Sequence, residues 1–312
     1  MVIEAFGGLE TLRFQEMPRP RPQEHEVSIE VHYASVNPVD WKICEGYLKS
    51  RLPHQFPLIL GWDAAGVVAE VGANVRNFKV GDPVFAYCRK PIIQEGTFAE
   101  YVCFDAAHVA LKPLNITFKE AASVPLAGLT AWQALFDFCH LKKNQSVLIH
   151  AGAGGVGSFA IQFAKLKNAV VYTTCSNANY EYVKSLGADY IIDYTAQDFA
   201  DAIKENLDIV FDTVGGETLK KSVSLVKQGG NLVTITEMID SAIGEKNQIH
   251  AGFIFVRPNG SELMEIAQLI KENKIKIPAL IEMPMQSANK ALQVSKAGHT
   301  RGKIVLKIKN SG

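Results

Sequence analysis

An excess of charge of either sign is missing, since 32 Lys and Arg balance 32 Asp and Glu over 312 residues. A surface without a basic surplus has no general pull on nucleic acid or an anionic membrane, although a local basic groove stays open. Long apolar runs are missing too, none nearing the roughly 18–20 residues that cross a bilayer. Met1 to Gly8 holds no basic stretch followed by an apolar core, so no secretory signal is read there. Cysteine is scarce: the five (Cys44, Cys88, Cys103, Cys139 and Cys175) are odd in number, scattered, and form no C-x-x-C pair. That weighs against a disulfide framework and predicts buried or semi-buried free thiols in a reducing compartment, with the cytosol as the expected location. The eight histidines are dispersed, and no metal-ligand spacing emerges from them.

What is present is a globular composition, 47% hydrophobic and 21% charged, and a length that allows two domains at roughly 100–200 residues each. One stretch organises the chain: Ser146-Val-Leu-Ile-His-Ala-Gly-Ala-Gly-Gly-Val-Gly157, followed by Ser158 to Lys165. The run Val147, Leu148, Ile149 predicts a strand, and Val156, Phe159, Ala160, Phe163 and Ala164 recur at helical spacing behind the glycines. Gly152, Gly154 and Gly157 form G-x-G-x-x-G. Their missing side chains permit a sharp turn, close approach of a pyrophosphate to the backbone and close helix–strand packing, and the N–H groups opening the helix, at Gly155 and Val156, face the phosphates. Alone such a motif is an ordinary glycine-rich loop. Set after a strand and before a helix, it predicts a dinucleotide site.

Residues 1 to 118 are short alternating segments broken by Gly and Pro. Val27–Tyr33, Ala65–Val71, Val80–Phe85 and Thr97–Val102 are expected strands of a β-rich domain, a partly closed barrel. Pro18, Pro20 and Pro22 mark a surface connection. From Thr117 the pattern changes. Helices are expected at Phe118–Ser123 and Gly128–Leu135, then strands and helices alternate from Ser146 to Ile235, which predicts a parallel doubly wound sheet. Beyond residue 255 come a helix (Gly260–Asn273), a Pro-punctuated stretch (Ile277–Pro284), a second helix (Ser287–Ala297) and a strand (Lys303–Lys307), expected to return to the first domain. The fold class is therefore α/β, with residues 1–118 and 256–312 forming the β-rich domain and 119–255 the nucleotide-binding one.

Seven motifs follow one another in a set order: Asn37-Pro-Val-Asp-Trp-Lys42, Gly61-Trp-Asp-Ala-Ala-Gly-Val-Val68, Gly81-Asp-Pro-Val84, Ala127-Gly-Leu-Thr-Ala131, Ala151 to Gly157, Leu186-Gly-Ala-Asp189 and Gly298-His-Thr-Arg-Gly-Lys-Ile-Val305. Together they resemble the medium-chain dehydrogenase/reductase superfamily, and within it the zinc-free quinone oxidoreductase (zeta-crystallin-like) and enone reductase branch. The resemblance implies a GroES-like catalytic domain, a Rossmann domain and a cofactor in the cleft between them. Related alcohol dehydrogenases hold a catalytic Zn²⁺ at positions that fall here on Asn37, Trp62 and Leu126, none of them a zinc-ligand type. The four-cysteine lobe of those relatives is missing as well, because Tyr87 to Gly96 contains only Cys88. No metal is expected.

The same resemblance implies NADPH. The position that carries an acidic residue in NAD enzymes, where a carboxylate accepts from the ribose 2′-hydroxyl, falls on Ser176. Relatives often place a lysine where this chain has Asn179, and Lys184 is a further cation of the following helix. Tyr194 matches a tyrosine that reaches the 2′-phosphate, packing at a strand end being its other reading. Thr130, Gly215, Phe255 and Val256 match segments along the cofactor, with core packing the other reading for Phe255, and Arg301 and Lys303 of the last motif are grouped with them. Asn37-Pro-Val-Asp-x-Lys42 resembles a motif of quinone and enone reductases. It implies that the Asn37 amide donates to a developing oxyanion, that Lys42 stabilises that charge or shields the ribose, and that Asp40 orients them as an acceptor. A turn start at Asn37 and a solvated helix charge at Lys42 are the plain structural readings. Trp62 is either an apolar wall for a flat substrate or a core ring, and Asp63 has no assigned role.

No Ser/His/Asp or Cys/His arrangement is evident, so the expected reaction is hydride transfer from NADPH to a small-molecule quinone or α,β-unsaturated carbonyl. Two other readings stand beside it: an alcohol or aldehyde dehydrogenase, and an NADPH-binding interaction or RNA-binding protein without reductase activity. Homodimerisation through the end of the Rossmann sheet is a further implication of the resemblance.

Overall fold

The computed structural model describes residues 1–309. Contacts divide the chain into two compact units, Met1–Leu129 with Arg257–Gly312, and Thr130–Val256. The first unit opens with β1 (Val2–Ile3), β2 (Glu26–Val36), α1 (Pro38–Cys44), β3 (Leu58–Ile59), β4 (Asp63–Val71), β5 (Pro83–Tyr87), β6 (Tyr101–Asp105), β7 (Val109–Leu111) and α2 (Phe118–Ala122). The long strand β2 is its axis. One edge of β2 pairs antiparallel with β4, and the other divides between β6, on Glu26–Glu30, and a strand from the end of the chain, on Tyr33–Val36. Val27, Ile29 and Val31, two residues apart, all lie in the core, as the period of a strand requires.

Two expectations shift. Thr97–Val102 is not a strand; pairing begins at Tyr101, because the Thr97 and Phe98 N–H groups bond the carbonyls of Gly61 and Leu60 instead. The expected boundary at residue 118 moves to 129, because α2 packs against β2 and β4, with the Phe118 ring 4.5 Å from that of His32. The change from strand-like to helix-like sequence at Thr117 marks a change of element within one unit.

The helix α3 (Pro125–Trp132) runs across the boundary into the second unit, which continues with a π-helical turn, Gln133–Phe138, and then β8 (Ser146–Ile149), α4 (Gly155–Leu166), β9 (Val170–Cys175), α5 (Tyr180–Ser185), β10 (Tyr190–Asp193), α6 (Phe199–Ala202), β11 (Leu207–Asp212), α7 (Gly216–Ser222), β12 (Val226–Thr234), α8 (Ser241–Asn247) and β13 (His250–Phe253). All six strands are parallel, in the order β10-β9-β8-β11-β12-β13. Counted from β8 that is 3-2-1-4-5-6, the dinucleotide-binding order, and its direction reverses between β8 and β11. The sixth strand was not foreseen, since His250-Ala-Gly-Phe253 is too short and mixed to declare itself. Gly252 is glycine there because a Cβ would lie 2.6 Å from the Phe138 ring.

The chain closes with α9 (Gly260–Lys271), β14 (Leu280–Pro284), α10 (Ala288–Lys296) and β15 (Lys303–Lys307). β15 is the strand that completes β2, and β14 runs parallel to it. The five cysteines are buried free thiols. Among the described residues no helix is long and apolar enough to cross a membrane.

Candidate functional site: a glycine cradle and a buried ionic network

In the second unit the strand ends carry the residues that the sequence singled out. Gly152 and Gly157 are demanded by the protein itself. A Cβ on Gly152 would overlap the Thr173 hydroxyl and lie 2.9 Å from Ile161, and one on Gly157 would overlap the Ala151 carbonyl and lie 2.7 Å from the Gly152 Cα. Gly154 is different. Its backbone is extended, at φ −76° and ψ 176°, and a Cβ there would meet only the Ala151 carbonyl, at 3.3 Å. A Cβ there needs only a few tenths of an ångström from that carbonyl, so internal packing constrains this glycine least of the three, at a helix start whose first turn leaves N–H groups unpaired. Gly155 and Val156 supply two of them. This is the cradle a pyrophosphate needs, and a dinucleotide fits it.

Neighbouring loops are tied to that turn. Ala151 N–H donates to Thr174 Oγ1 (3.1 Å), Gly152 N–H to the Thr174 carbonyl (3.1 Å), and Thr213 Oγ1 to the His150 carbonyl (2.8 Å). The Tyr194 N–H donates to the Cys175 carbonyl at 3.3 Å, so Tyr194, 50% exposed, stands beside Ser176 at the ends of β10 and β9. The nearby Asp193 carboxylate is occupied by the Thr195 N–H (2.9 Å) and hydroxyl (2.7 Å). Gly215 takes φ +84°, and the buried Asp212 carboxylate accepts its N–H at 3.0 Å together with the Thr234 hydroxyl at 2.6 Å. Sequence reading missed Thr174, Asp212 and Thr234; their only signal is a polar residue ending an apolar strand. Phe255 is 41% exposed and stacks on Phe253, which removes core packing as its reading, while Val256 and Thr130 are buried.

His150 is fully buried, with Nε2 2.9 Å from the Ser222 hydroxyl and Nδ1 3.2 Å from that of Thr174. Burial pulls its pKa down to about 4. A group depressed in this way stays neutral when folded and takes a proton near pH 6.5 when unfolded, so stability falls as pH drops from 6.5 toward 4. Urea unfolding followed through that window is expected to show an acid loss that His150→Gln reduces.

In the first unit, Asn37 closes β2 and Asp40 reaches back to its N–H at 2.7 Å, fixing the entry into α1 with Pro38 in the first turn. The Asn37 side chain is 2% exposed and committed at both ends. Its Nδ2 donates to Asp63 Oδ2 at 2.9 Å, and its Oδ1 accepts from the Lys303 ammonium. That corrects the expectation of a free oxyanion donor: one N–H is spent on Asp63, and the other lies 3.5 Å from the Ser35 carbonyl. Lys303 is corrected as well. At 5% exposure, with its ammonium also on the Val36 carbonyl (3.1 Å) and 3.7 Å from Asp63, it is an internal cation and not a contact for a free nucleotide.

Asp63, which sequence reading left without a role, is the hub. It accepts from Ser35 Oγ (2.7 Å) and the Leu126 N–H (2.8 Å) in addition to Asn37. The three positions that hold zinc in alcohol dehydrogenases thus surround or adjoin a carboxylate, and their side chains offer no ligand set. Among the described residues no three His, Cys, Asp or Glu cluster to hold a metal. Trp62 is a core ring, 3% exposed and edge-on to Tyr87 at 5.9 Å. Burial lifts Asp40 to about 7, pushes Asp63 up and Lys303 down. Lys42, half-buried on α1 with Nζ 5.6 Å from the Trp41 ring centre, is also lowered by burial. Arg301 is exposed, two residues before Lys303.

Comparison with known proteins agrees with this geometry. Residues 23–114 match the alcohol dehydrogenase GroES-like domain and 186–306 the zinc-binding dehydrogenase family model. The chain is 35% identical to a chloroplast envelope quinone oxidoreductase homolog of Arabidopsis thaliana over 96% of this chain and 95% of that one. It is 34% identical to the chloroplastic NADPH-dependent alkenal/one oxidoreductase of the same plant, over 98% and 78%. Among solved structures, the quinone oxidoreductase from Coxiella burnetii superposes with a TM-score of 0.90 at 35% identity, covering 99% of this chain and 98% of that one. The chain belongs to the medium-chain dehydrogenase/reductase superfamily, in its quinone oxidoreductase and enone reductase branch.

Proposed function

We propose that this protein is an NADPH-dependent, zinc-free reductase that passes hydride to a quinone or an α,β-unsaturated carbonyl. The observation that carries the reading is Gly154: a glycine at a helix start that internal packing constrains least, in a turn whose other two glycines are explained by internal packing. The names of the relatives supply the acceptor class. Bound NADPH supplies the hydride. The first turn of α4 holds the pyrophosphate, and Gly215 and the Phe255–Val256 segment line the cofactor. Ser176 and Tyr194 receive the 2′-phosphate where a carboxylate on β9 would repel it.

Lys42 stands out among the candidates as an ammonium with a side chain to spare. Burial makes its charge costly, and a negative oxygen beside it offsets that cost, so it favours the state in which the acceptor oxygen gains charge. Asn37 and Asp40 hold the helix that carries it. The buried thiols fit a reducing compartment such as the cytosol, and the outer edge of β13 offers the pairing surface for a homodimer.

The test is NADPH oxidation with EDTA present, comparing an ortho-quinone, a para-quinone and a medium-chain 2-alkenal. Turnover of at least one is expected, with Lys42→Met lowering kcat about 10- to 100-fold while the Kd for NADPH moves less than about twofold. Tight NADPH binding without turnover of all three would defeat the reductase reading.

A further inference from the structure

Lys303 is an unusual residue to bury. It opens β15, and a methionine or leucine there would be buried without removing an ammonium from water, a step that is costly even after relaxation. The charged groups that face it are Asp63 from β4 and Asp40 from α1, with Tyr87 of β5 close to both carboxyls. Two of its contacts, the Val36 carbonyl and Asn37 Oδ1, fall on the two residues that turn β2 into α1. α1 has only seven residues, too few to be stable alone, so its direction depends on how its first turn is held and on α10 beside it.

We propose that Lys303 is a positioning residue: by gripping Val36 and Asn37 from β15 it sets the direction of α1 and thereby the place of the Lys42 ammonium. The catalytic part of this rests on the proposed reductase activity; the positioning of α1 does not. Asp63 completes the device. It neutralises the buried ammonium and receives the other end of the Asn37 amide, so the amide cannot turn over without losing bonds at both ends.

The experiment compares the full-length wild type, Lys303→Met, Lys42→Met and the double variant, reading kcat with the best acceptor, the Kd for NADPH, and hydrogen exchange of the amides of residues 39–44. Lys303→Met is expected to lower kcat about tenfold with Kd moved less than about twofold, and to speed exchange in 39–44 at least about tenfold while β8 and β9 stay unchanged. The double variant is expected to be no slower than Lys42→Met within about twofold, because a residue acting through Lys42 has nothing left to position. Losses that multiply in the double variant, or unchanged kcat and exchange in Lys303→Met, would overturn the proposal. Should Lys303→Met fail to fold, Lys303→Gln, which keeps a donor without the charge, enters the same cycle under the same criteria. If the wild type reduces none of the three acceptors, the reductase reading falls by itself. Exchange at 39–44 then decides the positioning: faster exchange upholds it and unchanged exchange overturns it.

Discussion

Gly154→Ala is expected to weaken NADPH binding at least about tenfold, roughly 1.4 kcal/mol, while leaving the fold within about 1 kcal/mol of wild type. The reason is the asymmetry among the three glycines. At Gly154 an added Cβ meets one carbonyl at 3.3 Å and the backbone is already in a region open to alanine. The methyl therefore occupies space at the helix start, where the pyrophosphate is proposed to bind. Gly152→Ala and Gly157→Ala, by contrast, force atoms into Ile161 and into the turn itself. They are expected to cost about 1–3 kcal/mol or more in stability, with binding lost as a consequence. Fluorescence titration with NADPH beside thermal unfolding separates the two. Equal destabilisation by all three substitutions would mean that Gly154 has only a packing role.

Asp40→Asn is expected to change the pH dependence of stability by several kcal/mol. The Asp40 carboxyl is fully buried, and that burial, with the Asp63 charge adding to it, lifts its pKa from 3.8 to about 7. A carboxyl raised in this way holds its proton in the folded state while the unfolded chain releases it near pH 4. Its stabilising contribution is complete below pH 4 and is lost as pH rises toward 7, by about 4 kcal/mol at roughly 1.4 kcal/mol per unit. An asparagine keeps an oxygen for the Asn37 N–H and cannot ionise. Urea unfolding at pH 4.5 and 7.5 should therefore show the variant gaining on wild type as pH rises. A difference that does not vary with pH would show that Asp40 ionises freely in the fold.

Much of the nucleotide-binding unit could be read from the chain. Its strands and helices alternate from Ser146 at the start of β8 to Thr234 at the end of β12, within the expected span, because apolar runs between glycine-rich turns leave one periodicity to choose from. The four residues of β13 could not be read, since they become a strand only because β12 offers a free edge. In the other unit, the register of Thr97–Asp105 was decided by carbonyls of the Gly61 segment, more than thirty residues earlier in the sequence.

The sequence by itself determined the α/β class, the glycine cradle after β8 and the family, because those rest on local periodicity and on motifs whose order along the chain is their message. Only the tertiary structure decided what Asn37, Asp63 and Lys303 are. They are 26 residues apart for the first pair and 266 for Asn37 and Lys303, and whether an amide or an ammonium is free or committed depends on which partner the fold brings within about 3 Å of it. The same holds for Trp62 as a core ring and Phe255 as an exposed one. Side-chain type states which chemistry is possible, and burial with hydrogen bonding selects which of it remains available.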